Sequence, residues 1–205
     1  MKKTGQLIFA KGYAYVEDID LNHDLILEEL KDLKYKLADN YPVYKTYISD
    51  PMNILKTIPS GKKILKEVSK HVQDSIDNFF ELNIKHRIVN GWATYSPPNT
   101  TSAFHVHNNF WLSACYYPHG TIKDEFYINF SSNYLDTSFE PPVKRYNPLN
   151  SQLWSQSVKK GDLIIFPSNL RHRIGYNHSN KNRYSMAFNI LPKGSLGSGD
   201  GVLKY

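Results

Sequence analysis

Residues 95–117 read YSPPNTTSAFHVHNNFWLSACYY, and at their centre His105 and His107 stand one residue apart. On a β-strand successive side chains alternate faces, so positions i and i+2 point the same way. Two imidazoles on one face form half of a mononuclear metal site. The same pair fits a merely polar strand face equally well, so the decision rests on what the rest of the chain supplies.

Outward from that stretch the texture is repetitive. Short apolar or aromatic runs follow one another, each bounded by Pro, Gly, Asn or Ser: HRIVNGWATY (86–95), SAFHVH (102–107), FWLSACYYP (110–118), EFYINFSS (125–132), QSVKK (156–160), DLIIFPS (162–168), RHRIGYN (171–177) and RYSMAFNIL (183–191). Strands at such spacing signal an antiparallel sandwich or barrel. Residues 133–157, with Pro141, Pro142 and Pro148, read as an inserted loop.

Upstream, residues 5–16 read as one or two strands. Asn22–Asp24 can cap a helix whose stripe of Leu25, Ile26, Leu30 and Leu33 runs to about Leu37. Ser60-Gly61 opens the clearest helix, with Ile64, Leu65, Val68, Val72, Ile76, Phe79 and Phe80 at steps of three and four. The expected architecture is mainly β with α, a jelly roll backed by N-terminal helices. It is read as a single domain over 1–205: support in 1–85, core in 86–192, and a Gly/Ser-rich tail in 193–205.

Composition narrows the function classes. The net charge of +6 permits attraction to an acidic partner, but the lysines lie mostly on the N-terminal helices and in loops, with no Arg-rich run. Nucleic-acid binding is therefore not expected. The single cysteine, Cys115, excludes an intramolecular disulfide and a cysteine-based zinc site, and its apolar neighbours read as a buried structural thiol. The opening apolar run is too short for a signal peptide and no window is long enough for a membrane span, so a cytoplasmic location is expected.

Eight histidines are present. His23, His71 and His86 precede the β-rich half, His119 sits in a PHG turn, and His178 in a polar loop. His172 differs, because it follows the buried run 162–166 and the Pro167 that ends it. A jelly roll returns distant strands side by side, so an early His pair can meet a late His. Neutral imidazoles suit Fe(II), Zn, Cu and Ni. Eleven residues on, Arg183 and Ser185 share one strand face. An arginine inside a barrel is costly unless it meets an anion, and its guanidinium fork fits a carboxylate. The bland reading is a surface arginine on an edge strand.

These segments together resemble the 2-oxoglutarate/Fe(II)-dependent oxygenases, whose double-stranded β-helix (a cupin-like jelly roll) carries H-x-D/E, a distal His, and then Arg with Ser or Thr two residues later. More narrowly, NGWATY, FHVHNNFWLSACYYP, IIFPSNLRH and RYSMAFNI are similar to a family of small 2-oxoglutarate oxygenases of bacterial and phage genomes, which carry H-x-H-P, S-G-x-Y-Y, F-P-S-x-x-x-H and R-x-S-x-x-F-N. The resemblance runs from Leu7 to Ile190. It implies that His105, His107 and His172 bind Fe(II), and that Arg183 and Ser185 hold the distal carboxylate of 2-oxoglutarate. It implies further that Tyr95, Ser113 and Tyr117 line the co-substrate pocket. The chain departs from the pattern where His107 stands in place of the common Asp or Glu, and where Asn108 and Ala114 replace a Pro and a Gly.

The activity so implied is a dioxygenase using Fe(II), 2-oxoglutarate and O2, with hydroxylation as the default outcome and succinate and CO2 as co-products. The substrate is an unidentified small molecule or peptide, for which Asn109, Trp111 and the loop Asn133–Asn150 are candidate contacts. Whether the chain pairs as a homodimer stays open. Two rival readings stand beside this one: a three-histidine cupin dioxygenase that needs no 2-oxoglutarate, and a non-enzymatic jelly-roll binding module. Arg183 with Ser185 discriminates, since the pair has no task without a dicarboxylate.

Overall fold

A computed structural model describes residues 12–38, 43–131, 142–147, 150–197 and 199–204. The large sheet is built from β1 (Ala14–Val16), β2 (Tyr35–Leu37), β3 (Tyr47–Ser49), β4 (Lys85–Ser96), β5 (Leu112–Tyr116), β8 (Leu163–Pro167) and β10 (Arg183–Lys193), in the order β1-β8-β5-β10-β4-β3-β2. A smaller sheet carries β6 (Tyr127–Ser131), β7 (Leu153–Ser157) and β9 (Arg171–Ile174), in the order β7-β6-β9. The paired strands of both sheets run antiparallel. The runs read as strands from residue 86 onward appear as strands with two exceptions: 102–107 makes only an isolated bridge at His105, and 156–160 lends just its first two residues to β7, which otherwise lies in the stretch read as an inserted loop.

β10 runs through the middle of the large sheet and sorts its side chains by parity. Tyr184, Met186, Phe188 and Ile190 point to one side, where they pack with Ile26 and Leu30 of α1 (His23–Lys31) and with Ile64, Val68 and Val72 of α2 (Gly61–Asp74). Arg183, Ser185 and Asn189 are buried on the other side, toward the small sheet. There a second apolar cluster joins Ile164 and Phe166 of β8 to Ile128 and Phe130 of β6. The helices thus cover one face of the large sheet and leave the other to build a lined interior.

Two helical expectations are corrected. The first helix ends at Lys31, because Tyr35–Leu37 pairs with β3 instead of continuing the turn. The second passes at Ser75–Phe79 into a π-helical turn. The wider turn changes the phase of the stripe, so Ile76 is fully buried while Phe79 is 54% exposed. At the other end of the chain, β11 (Ser195–Leu196) and β12 (Leu203–Lys204) pair within the stretch read as a loose tail. Residues 5–11 of the first strand reading, and most of the Asn133–Asn150 loop, lie outside the described residues. Among the described residues no helix is long and apolar enough to cross a membrane.

Candidate metal centre

The backbone brings the distant histidine to the pair. The amide of His105 donates to the His172 carbonyl at 2.9 Å and the amide of His172 returns a bond to His105 at 3.0 Å. Residues opposed in this way place their side chains on the same face. The rings of His105 and His172 lie 4.5 Å apart between centroids, those of His105 and His107 5.3 Å, and those of His107 and His172 5.0 Å. One ligand atom from each falls within 4.8 Å of the others.

Each ring is oriented by what its Nδ1 meets. His105 Nδ1–H donates to the Ala103 carbonyl at 3.0 Å and His172 Nδ1–H to the Leu170 carbonyl at 2.8 Å. His107 Nδ1–H faces Asn189 Oδ1 at 2.7 Å and Ser113 Oγ at 3.0 Å, and Ser113 is bonded in turn to Ser168 Oγ at 2.8 Å. A proton fixed on Nδ1 leaves the Nε2 lone pair of every ring free to coordinate. Burial holds His107 down to about 4 and His172 to about 3, with the neighbouring imidazoles adding to the effect. Both are therefore neutral at neutral pH, which is the ligating form. Three imidazoles gathered in this way fit a divalent first-row metal.

Farther along the same face, Arg183 is 2% exposed. Its Nη1 donates to the Tyr127 carbonyl at 2.7 Å and more weakly to that of Gly175 at 3.4 Å, while its Nε has no partner among the described residues. The rings of Tyr117 and Phe126 lie 5.4 and 5.3 Å from the guanidinium carbon. Among the described residues no carboxylate forms an ion pair with it. Burial lowers its pKa, opposed by Tyr117 and Cys115 beside it. Ser96, its cross-strand partner on β4, carries a buried hydroxyl that also lacks a partner among the described residues. Next along the strands, Ser185 Oγ and Thr94 Oγ1 share a hydrogen bond of 2.8 Å. A buried cation with an unused N–H beside an unused hydroxyl is the donor set a carboxylate would satisfy.

Residues 90–189 match the family described as "Putative 2OG-Fe(II) oxygenase". The matched span runs from β4 into β10 and holds the three histidines, Arg183 and Ser185. No curated protein matches the chain. Solved structures of similar fold include HygX from Streptomyces hygroscopicus with nickel, 2-oxoglutarate and hygromycin B bound, at TM-score 0.62 and 13% identity over 89% of this chain and 83% of that one. A prolyl-4-hydroxylase from Pseudomonas putida aligns at TM-score 0.57 and 14% identity, over 90% and 94% of the two chains. The α-ketoglutarate-dependent carbocyclase SnoK of nogalamycin biosynthesis aligns at 0.66 and 11%, over 93% and 84%. At these identities the likeness is one of fold, and it makes the two-sheet body a double-stranded β-helix.

The arrangement gathers most of the residues expected at the site, but two change place. Tyr95 alternates with Thr94 and Ser96 on β4 and so points to the helix side. There it stacks on Tyr47 at 4.5 Å and meets Tyr35 edge-on at 4.9 Å. It does not line the interior, and the expected co-substrate contact is withdrawn on parity. Ser113 does face the interior, but its hydroxyl serves the back of the His107 ring. Tyr117 lies under the guanidinium of Arg183, as a wall of that pocket.

Four residues escaped the sequence reading. Asn189, Ser96 and Thr94 are polar positions in apolar strands, visible as site residues only once the β4–β10 register is known. His119, read as a turn residue, accepts the backbone N–H of Tyr184 through Nε2 at 2.7 Å, immediately after Arg183. Its enclosure beside that arginine lowers it to about 4.

Proposed function

We propose that the chain is an Fe(II)- and 2-oxoglutarate-dependent dioxygenase that hydroxylates an unidentified substrate. Iron and 2-oxoglutarate bound here would supply the oxidising chemistry, coupling the O2-dependent conversion of 2-oxoglutarate to succinate and CO2 to oxidation of a substrate C–H bond. The observation that carries the reading is Arg183: a buried guanidinium whose Nε has no partner and which meets no carboxylate among the described residues, lining the interior that also holds the three histidines.

His105, His107 and His172 would hold the metal through Nε2, each kept in that tautomer by its Nδ1 partner. Arg183 would bind the distal carboxylate, with the Ser96 hydroxyl and the Ser185–Thr94 pair as further hydrogen-bonding groups. Phe166, which meets His172 edge-on at 4.6 Å, and Trp92, 5.4 Å from His107, would screen the centre from water.

Succinate formation from 2-oxoglutarate in the presence of Fe(II) and oxygen tests the proposal. Activity is expected from the parent and none from His172→Ala. Anaerobically, Fe(II) with 2-oxoglutarate should give a visible charge-transfer absorption. Arg183→Ala should need about 30-fold more 2-oxoglutarate to reach it, the loss of a buried charge pair worth about 2 kcal/mol. If the arginine variant titrates like the parent, Arg183 is not the carboxylate clamp.

A further inference from the structure

The face of the large sheet that looks onto the candidate metal centre continues past it. On β10 the side chains that share a face with Arg183, Ser185 and Asn189 are Leu191 and Lys193, and their cross-strand partners on β4 are Arg87 and Lys85. Lys193 and Lys85 stand directly opposite each other. Like charges in that position repel, and a sheet ordinarily places opposite charges there. Lys85, Arg87 and Lys193 are all exposed, and none forms an ion pair among the described residues. The repulsion is left uncompensated.

Where the strand pair ends, both lysines also line a groove of about 620 Å³ whose other wall is α2, bearing Lys66 and Lys70. Its floor is a hydrogen-bonded set in which His86 meets Ser69 at 3.0 Å and Gln73 at 2.9 Å. Two acids approach: Glu67 pairs with Lys70 and His71, and Asp77 accepts from the Gln73 amide. Four lysines from three elements thus line the groove, and three of them, Lys66, Lys85 and Lys193, form no ion pair among the described residues. The distance matters too. Asn189, which holds His107, lies four residues from Lys193, about 13 Å along an extended strand.

We propose that this basic track recognises the substrate of the oxygenase, which carries a multiply charged anionic group of the polyphosphate class held about 13 Å along the strand from Asn189. The inference rests on the proposed function for the word substrate, but the binding site itself does not. Lysine ammoniums, mobile point charges without the planar fork of arginine, suit phosphate groups whose exact orientation varies. The track would tether such a group at the rim while the remainder of the molecule reaches inward past Asn189.

Binding, rather than turnover, tests it. Sodium tripolyphosphate is titrated calorimetrically into the full chain at low salt, without added metal. The expected result is saturable binding that weakens at least tenfold in Lys85→Ala/Lys193→Ala. A control pair of equal charge loss, Lys34→Ala/Lys123→Ala, and the His172→Ala variant should bind like the parent. Absence of saturable binding overturns the proposal. So does equal weakening by the control pair, which would assign the effect to net charge. Loss in His172→Ala alone also overturns it, by placing the anion at the histidines. Failure of succinate formation would remove the oxygenase reading while leaving this outcome untouched.

Discussion

Asn189 decides how His107 behaves. Its Oδ1 is the strongest partner of the ring's Nδ1, and Ser113 supplies the second. Without that acceptor the imidazole can turn or protonate at the wrong nitrogen, so Asn189→Ala should weaken metal binding about 10- to 100-fold with the fold intact. A competition titration with a chromophoric chelator, run beside circular dichroism, measures both. The residue scale also shows what could be read from sequence. His105 and His107 were legible because an i, i+2 pair needs no knowledge of pairing. Tyr95 was misplaced because spacing from His105 says nothing about the face of a different strand. Asn189 was invisible because an asparagine inside RYSMAFNIL acquires a partner only when β10 and the His107 segment are side by side.

Arg183 is positioned by the meeting of two elements. Its Nη1 donates to the carbonyls of Tyr127, at the start of β6, and Gly175, just past β9. Those strands approach so closely that a Cβ on Gly175 would stand 2.7 Å from the Tyr127 carbonyl oxygen and 2.9 Å from its Cβ. Gly175→Ala must therefore push β6 away from β9. The expected cost is about 1–3 kcal/mol in chemical denaturation, accompanied by weaker 2-oxoglutarate binding as the Tyr127 carbonyl leaves the arginine. A variant that loses stability but binds the co-substrate normally would separate the two roles. At this scale the strands were legible from their Pro, Gly and Asn boundaries. The helix ends were less so: Leu33 fits the α1 stripe, yet the chain leaves the helix because β3 offers Tyr35–Leu37 a backbone partner.

For the whole molecule, the enclosed histidines tie stability to pH. His107 and His172 sit at about 4 and 3, and His119 at about 4, below the ordinary value of 6.5. The unfolded chain takes up protons first as pH falls below about 6.5, so the folded state loses stability from there down to roughly pH 3. The urea midpoint of the metal-free protein should fall across that window, and His119→Gln should flatten part of the slope. Added metal acts in the same currency: at one hundred times its dissociation constant, Ni(II) should stabilise the parent by about 2.7 kcal/mol and His172→Ala far less. The general architecture was readable because the long α2 stripe gives way to strand periodicity after Asn83, although β2 and β3 already stand before it. The direction in which each polar residue of the β half faces was not, since it depends on register between segments far apart in sequence.

The reciprocal amide bonds between His105 and His172 have one more consequence. The segment around His105 is no regular strand; these two hydrogen bonds and that of His107 to the Ser168 carbonyl hold it against its neighbour. A metal bridging the rings would act as a second fastener across the same seam. Amide deuterium exchange at residues 105 and 172 should therefore be fast in the bare protein and slow once the ion is added, while β4 and β10 exchange equally slowly in both. The ion would then be a clasp on the mouth of the barrel as well as its reagent, and losing it would loosen the entrance before it loosened the core.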